Sequence, residues 1–314
     1  MRNKITIATR KSALALWQAE TIAERLRAQY PDISVTLLPV STKGDEILNQ
    51  PLADIGGKGL FIKELEVLLL SGAADLAVHS LKDVPAELAD VFTIAAVTER
   101  EDPRDAFVSS TYSCLEEMPA GAKIGTSSLR RQSQILHRRP DLIVESLRGN
   151  VQTRLRKLDE GAYDAIILAA AGLIRLGEAK RIASFLETEE SIPAAGQGIM
   201  AIETRKADTE LIDMLQFLNA KDSEYVVSCE RAFLGEVGGD CKVPAGSHAI
   251  LRDGKLFVTA FIASTDGKRF YKRKAVGMPD EAEFLGRKIA KDLLDDGGRE
   301  VLTEIQKTVK LRNH

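Results

Sequence analysis

The sequence predicts an α/β protein of two hinged units followed by a smaller α+β unit, and three observations carry that prediction. From residue 4 to about 98, short apolar strands alternate with segments of helical periodicity. The alternation restarts near residue 104 and runs to about 192, with a polar, proline-bearing stretch on either side. From about residue 221 the order changes to a helix followed by strands of alternating apolar and polar residues.

Taken in order, KITIATR reads as a strand, and Ser12 is placed to cap the helix SALALWQAETIAERLRAQY. ISVTLLPV is a second strand. FIKELEVLLLSG reads as a helix ending at Gly72, and DLAVHS as a buried strand running into the loop LKDVP. This βαβαβ order predicts a parallel core. TEREDPRDAF, broken by Pro103, is read as the polar link to the second unit. There KIGTSSLRRQSQILHRR supplies strand, cap and helix, LIVESL a strand, NVQTRLRKLDEG a helix and DAIILAAAG a strand. SIPAAGQGIMAIETR, with one proline and two glycines, reads as the second crossing of a hinge. In the third unit YVVSCERAFLGEV looks helical, LFVTAFIAS and RFYKRKAVG pair around TDGK, and EAEFLGRKIAKDLLDDGG is a single closing helix.

A net charge of -3 argues against a general nucleic-acid binder, which needs a basic excess to neutralise phosphates. No apolar run is long enough to span a bilayer, and the opening residues lack a signal-peptide core, so the expected location is cytoplasmic. Cys114, Cys229 and Cys241 are odd in number and without CxxC spacing, which points to no disulfide framework and no metal site.

Against this acidic background the stretch from Lys123 to Lys157 holds nine Lys or Arg and only Asp141 and Glu145. If GTSS caps a helix, Arg130 and Arg131 fall in its first turn, where the helix dipole disfavours cations, so an anion is expected there. Thr126, Ser127 and Ser128 add hydroxyl donors. Ser127 reads equally as a plain cap. Arg148 and Arg154 are placed to point into the same cleft.

AVHSLKDVP ends a buried strand in Ser80, Lys82 and Asp83, at the carboxyl edge where parallel sheets place their chemistry. Asp83 suits a general acid or base, or a carboxylate that stabilises a cation; an Asp–Lys turn pair is the plainer reading. His79 reads as a strand or core histidine. GGKG, residues 56 to 59, lacks the first glycine and the final Ser or Thr of a phosphate loop. Cys241 sits in GGDCKVPAG, an exposed turn rather than a core, so thiolate chemistry is its better reading.

The set IATRKSALALWQA, GGKGLFIKELE, AVHSLKDVP, EREDPRDAFVS, GTSSLRRQ, SLRGNVQTRL, AGLIRL, PAAGQG and DCKVPAG resembles the porphobilinogen deaminase family, in the family's order and over nearly the whole chain. The resemblance implies a transferase that joins four porphobilinogen molecules head to tail with loss of ammonia. The product is the linear tetrapyrrole hydroxymethylbilane. It implies a dipyrromethane cofactor joined to Cys241 by a thioether, and Asp83 as the carboxylate that manages the azafulvene cation. It assigns Lys82, Ser80, Thr126, Ser127, Ser128, Arg130, Arg131, Arg154 and Gln197 to the cofactor, and Arg10, Ser12, Gln18, Arg148, Arg175 and Phe61 to the substrate rings. Two lobes like type II periplasmic binding proteins, 1–98 with 199–216 and 104–192, are implied, with a third domain at 221–314, as a monomer.

Two positions depart from the pattern. Asp240 stands where many relatives have glycine, and Asp54 where some have lysine. The competing readings are a non-catalytic hinged anion-binding module and a phosphate or nucleic-acid binder built on the basic stretch.

Overall fold

The computed structural model describes residues 2–46, 59–238 and 243–312. The first lobe is built from β1 (Lys4–Arg10), α1 (Ala13–Gln29), β2 (Ser34–Val40), α2 (Lys43–Glu46), α3 (Lys63–Leu70), β3 (Leu76–Ser80) and β4 (Phe92–Val97). The second contains β5 (Asp105–Val108), β6 (Lys123–Gly125), α4 (Leu129–Arg138), β7 (Ile143–Glu145), α5 (Val151–Asp159), β8 (Ala165–Ala169), α6 (Ala170–Arg175) and β9 (Ser184–Leu186). The chain then returns through β10 (Met200–Arg205) and α7 (Thr209–Leu215). It continues into α8 (Lys221–Glu236), β11 (Ala245–Arg252), β12 (Lys255–Ala263), β13 (Phe270–Gly277), α9 (Ala282–Leu293) and α10 (Arg299–Arg312).

Local chemistry explains the helix starts. The Ser12 hydroxyl accepts from Ala15 N at 3.4 Å, Asn150 Oδ1 from Thr153 N at 2.9 Å, and Asp208 Oδ1 from Leu211 N at 3.3 Å. At α4 the cap is Ser128, which accepts from Arg131 N. Ser127 is not the cap: its hydroxyl donates to Leu147 O at 2.7 Å.

The first sheet runs β2-β1-β3-β10-β4 and the second β7-β6-β8-β5-β9. β1 lies parallel to β2 and β3, and β6 parallel to β7 and β8. The expected parallel core needs correction, because β10 runs antiparallel to β3 and β4, and β5 antiparallel to β8 and β9. The strand that has just crossed between sheets enters its new sheet from the opposite end. The DAF end of the expected polar link is therefore β5, wholly buried, and Phe107 packs at the centre of the second core.

The third unit is an antiparallel sheet, β11-β12-β13, covered by α8 and α9. The expected closing helix is α9, which ends in a wide turn at Leu294–Gly298 with Gly297 at φ 124°, and it does not close the chain, because α10 follows it. The core of the third unit is continuous with the first lobe: Leu81, Val84 and Ile199 pack in one cluster with Phe233, Val237 and Leu293.

The chain passes twice between the lobes, and the two crossings meet. Glu101 N donates to Gly198 O at 3.1 Å. At Gly198, φ is 92° and an added Cβ would stand 2.3 Å from Glu101 O, so only glycine lets the crossings touch.

Candidate functional site

The carboxyl ends of β1, β3, β7 and β8 face one another across the gap between the lobes, around a cavity of about 430 Å3. The first lobe contributes Arg10, Ser12, Phe61, Ser80, Lys82 and Asp83. The second contributes Arg131, Arg148, Arg154 and Arg175. Ten of the side chains assigned from the sequence thus meet in one cavity, although they come from segments as far apart as residues 10 and 175. Gln18 lines a smaller adjoining cavity, where its amide donates to Ser80 Oγ at 2.9 Å.

Asp83 sits in a single 3-10 turn, Leu81–Asp83, between two apolar anchors. Leu81 and Val84 are buried, and Leu81 N donates to Ile199 O at 2.9 Å, so the turn is pinned to the core that joins the first lobe and the third unit. Its carboxylate points into the cleft with Arg10 Nη1 at 3.9 Å from Oδ2. The Arg10 guanidinium lies over the Phe61 ring, 4.4 Å from its centroid. Phe61 leaves no room for a Cβ at Gly44, where the ring carbons would come within 2.3 Å.

Cations dominate the rest of the wall. Burial first, and the Arg131 guanidinium second, bring the Lys82 ammonium down to about 8, against the opposing pull of Asp83. The same two causes bring Arg154 down to about 10. Burial also lowers Arg148 and Arg175. Arg154 is aimed by a bond from Nε to Gly149 O at 2.7 Å, and Arg175 by one from Nη2 to Gly198 O at 2.7 Å. Crowded cations of this kind favour a ligand with several carboxylates.

Arg130 is placed differently. It and Arg131 converge on Asp105: Arg130 Nη1 and Nη2 donate at 2.9 and 3.1 Å, Arg131 Nε and Nη2 at 3.0 and 2.8 Å. Ser191 Oγ and Gln197 Nε2 donate to the same carboxylate at 2.8 and 3.1 Å. Burial alone would raise the Asp105 carboxyl, but the two guanidinium charges and their hydrogen bonds outweigh it and hold it well below the ordinary range. The anion expected beside the first turn of α4 is thus in part the chain's own. Thr126, Arg130 and Gln197 are buried and Ser127 and Ser128 half-buried; all five bond to neighbouring protein groups and none is on the cavity wall. Asp105 escaped the sequence reading; its signal was an acid set directly against the apolar run AFV.

An Asp105→Ala exchange leaves two buried guanidinium groups facing each other without their shared counter-charge. It is expected to destabilise the second lobe by about 3–5 kcal/mol, read as a fall in the urea midpoint. A change under about 1 kcal/mol would show that the arginines find other partners.

Among the described residues the free thiols are Cys114, half-buried, and Cys229. Cys229 is fully buried, which pushes its thiol up to about 12. Cys241, Asp240 and Asp54 lie outside the described residues.

Residues 5–213 match the family model described as "Porphobilinogen deaminase, dipyromethane cofactor binding domain", and residues 225–295 match its C-terminal domain. The chain belongs to the porphobilinogen deaminase family. Among curated members, the porphobilinogen deaminase of Chromobacterium violaceum is 54% identical over 303 residues, covering 96% of this chain and 98% of the relative. That of Thiobacillus denitrificans is 53% identical over 298 residues, covering 95% and 97%. A putative methionine-binding lipoprotein of Bacillus subtilis overlaps 69% of this chain and 90% of its own at 14% identity, with a TM-score of 0.44. The family model names a dipyrromethane cofactor, and a group whose rings carry carboxylates is chemically compatible with a cleft lined by Arg10, Lys82, Arg131, Arg148, Arg154 and Arg175.

Proposed function

We propose that the cleft is the chain-building site of this member of the porphobilinogen deaminase family, with Asp83 handling protons and cation, the arginines holding ring carboxylates, and Cys241 anchoring the dipyrromethane. The observation that carries this reading is Asp83, a carboxylate at the edge of a cavity whose other charged groups, among the described residues, are cationic. When bound, the dipyrromethane supplies a free pyrrole α-position as the nucleophile. Lys82, Arg131 and Arg154 would hold its carboxylates, with Ser80, Thr126, Ser127, Ser128, Arg130 and Gln197 shaping that wall.

The residues then divide the work. Arg10, Ser12, Arg148 and Arg175 take the acetate and propionate of an incoming porphobilinogen, with Gln18 and Phe61 beside it. Departure of ammonia leaves a cation on the substrate, and the Asp83 carboxylate stabilises it at short range. The proton that leaves the attacking α-carbon goes to Asp83, which returns it to the departing amine or to water. The sheet pairings support a division into 1–98 with 199–216 as the lobe of Asp83, 104–192 as the arginine lobe and 221–314 as the domain of Cys241. We take the chain to work as a monomer in the cytoplasm, in keeping with the free thiols Cys114 and Cys229.

Stoichiometry tests the function. Purified enzyme given porphobilinogen is expected to release four ammonia for each linear tetrapyrrole, counted by ammonia assay and product mass. Porphobilinogen bound but left intact would instead favour an anion-binding module.

Lys82 gives a pH prediction. Its folded value near 8 lies below the ordinary 10.5, so between the two the unfolded chain holds the proton and the folded chain does not. The cost of burying the charge is therefore paid in full below about pH 8, and stability rises as pH climbs through that window. A carboxylate ligand favours the protonated form, so its binding takes up a proton above pH 8. KM for porphobilinogen is expected to rise as pH passes 8, and to do so less in Lys82→Arg. Parallel profiles in the two proteins would remove Lys82 from ligand binding.

A further inference from the structure

Behind the Asp83 turn lies a polar pair that the proposed chemistry leaves unused. His79, on β3, is 5% exposed, and Glu203, on the neighbouring β10, is 0% exposed. His79 Nε2 lies 2.8 Å from Glu203 Oε2, so the ring donates to the carboxylate. The other oxygen, Oε1, is buried with no hydrogen-bond partner. Two apolar residues would fill the centre of this sheet at lower cost, because a fully buried carboxylate with an unpartnered oxygen is expensive. Glu66, on α3, reports the charge: its carboxyl is pushed up first by burial and second by Glu203, with His79 and Lys63 acting the other way.

The pair also has an outlet. His79 lines the small cavity of about 50 Å3 that it shares with Arg10, Gln18, Ser80 and Asp83, room enough for a water molecule among polar groups. A carboxylate that orients an imidazole, on a residue that lines the same small cavity as the reacting carboxylate, supplies the parts of a proton relay.

We propose that His79, oriented by Glu203, is a positioning residue that acts through Asp83, exchanging protons with it by way of water in the cavity they share. This rests on Asp83 being the reaction's carboxylate. After each condensation the proton collected by the Asp83 carboxyl passes to the free nitrogen of His79, and the imidazolium is held against the Glu203 carboxylate. Asp83 is then again an anion when the next cation forms. The proton returns by the same route as ammonia leaves as ammonium, so none is gained or lost over the cycle.

The test compares His79→Gln, Glu203→Gln and the double variant, with rates normalised to the fraction of chain carrying the covalent cofactor mass. His79→Gln is expected to lower kcat at least tenfold with KM little changed, and to alter the solvent deuterium isotope effect on kcat. The double variant is expected to be no slower than His79→Gln alone, since both act through one relay. Two readouts do not depend on the variants' turnover. In the unmodified enzyme, kcat in mixtures of light and heavy water should vary along a curve that reports more than one proton in motion. In 15N-histidine spectra at one fixed pH, Asp83→Asn should change the protonated fraction of His79. A straight proton inventory, an unmoved His79 signal, or His79→Gln with the parent's kcat and isotope effect would overturn the relay. If Asp83→Asn itself keeps full turnover, the reading of Asp83 falls as well, and the two failures are told apart.

Discussion

Asparagine in place of Asp83 is expected to leave a folded, cofactor-bearing enzyme whose turnover drops by roughly a hundred- to ten-thousandfold. The fold should tolerate the exchange. The carboxylate is 30% exposed, its nearest cation is 3.9 Å away, and the turn is held by Leu81 and Val84 rather than by Asp83. A partly exposed contact of that length contributes under about 1 kcal/mol. What asparagine removes is the negative charge facing the substrate cation and the site that receives the α-proton, both of which matter most in the transition state. The loss should therefore fall on kcat more than on KM, because the arginines proposed to hold substrate carboxylates are untouched. Steady-state kinetics beside an intact-mass measurement decides it. Turnover within a few-fold of the parent would move the chemistry to another group.

The second large effect concerns Cys241. The purified chain is expected to weigh more than its sequence by two deaminated porphobilinogen units, and Cys241→Ala to show the bare mass and no turnover. No other thiol is suited to take over: Cys229 is a buried thiol near 12, and Cys114 lies apart from the cleft wall. An equal mass excess in the alanine variant would place the attachment elsewhere. The bare mass in both proteins, unchanged after incubation with porphobilinogen, would make Cys241 an ordinary thiol.

Much of the site was legible because its residues stand in short local patterns. SLKD after a buried strand marks a sheet's carboxyl edge, and GTSSLRR marks a capped helix start with cations where the dipole disfavours them. The arginine excess between Lys123 and Lys157 signalled an anion, but not that Asp105 supplies part of it, because the bond spans 25 and 26 residues and depends on β5 lying beside α4. His79 looked like a core histidine. Its partner Glu203 lies 124 residues away, and neither position hints at the other until β3 and β10 are paired. The same holds for β5 itself: a four-residue strand that starts with Asp cannot be told from a polar link by periodicity.

By itself the sequence determined the local elements and the kinds of group available: capped helices, strands ending in reactive side chains, glycines where the crossings touch, and cations in excess within an acidic chain. These follow from interactions among residues close in the chain. The tertiary structure alone decided which groups meet. The antiparallel entry of β5 and β10 brings ten side chains around one cavity, ties Arg130 into the interior while Arg131 reaches the wall, and sets His79 and Glu203 behind Asp83. Such partnerships arise from sheet order and burial, where desolvation makes each unpaired charge costly and so selects the partner.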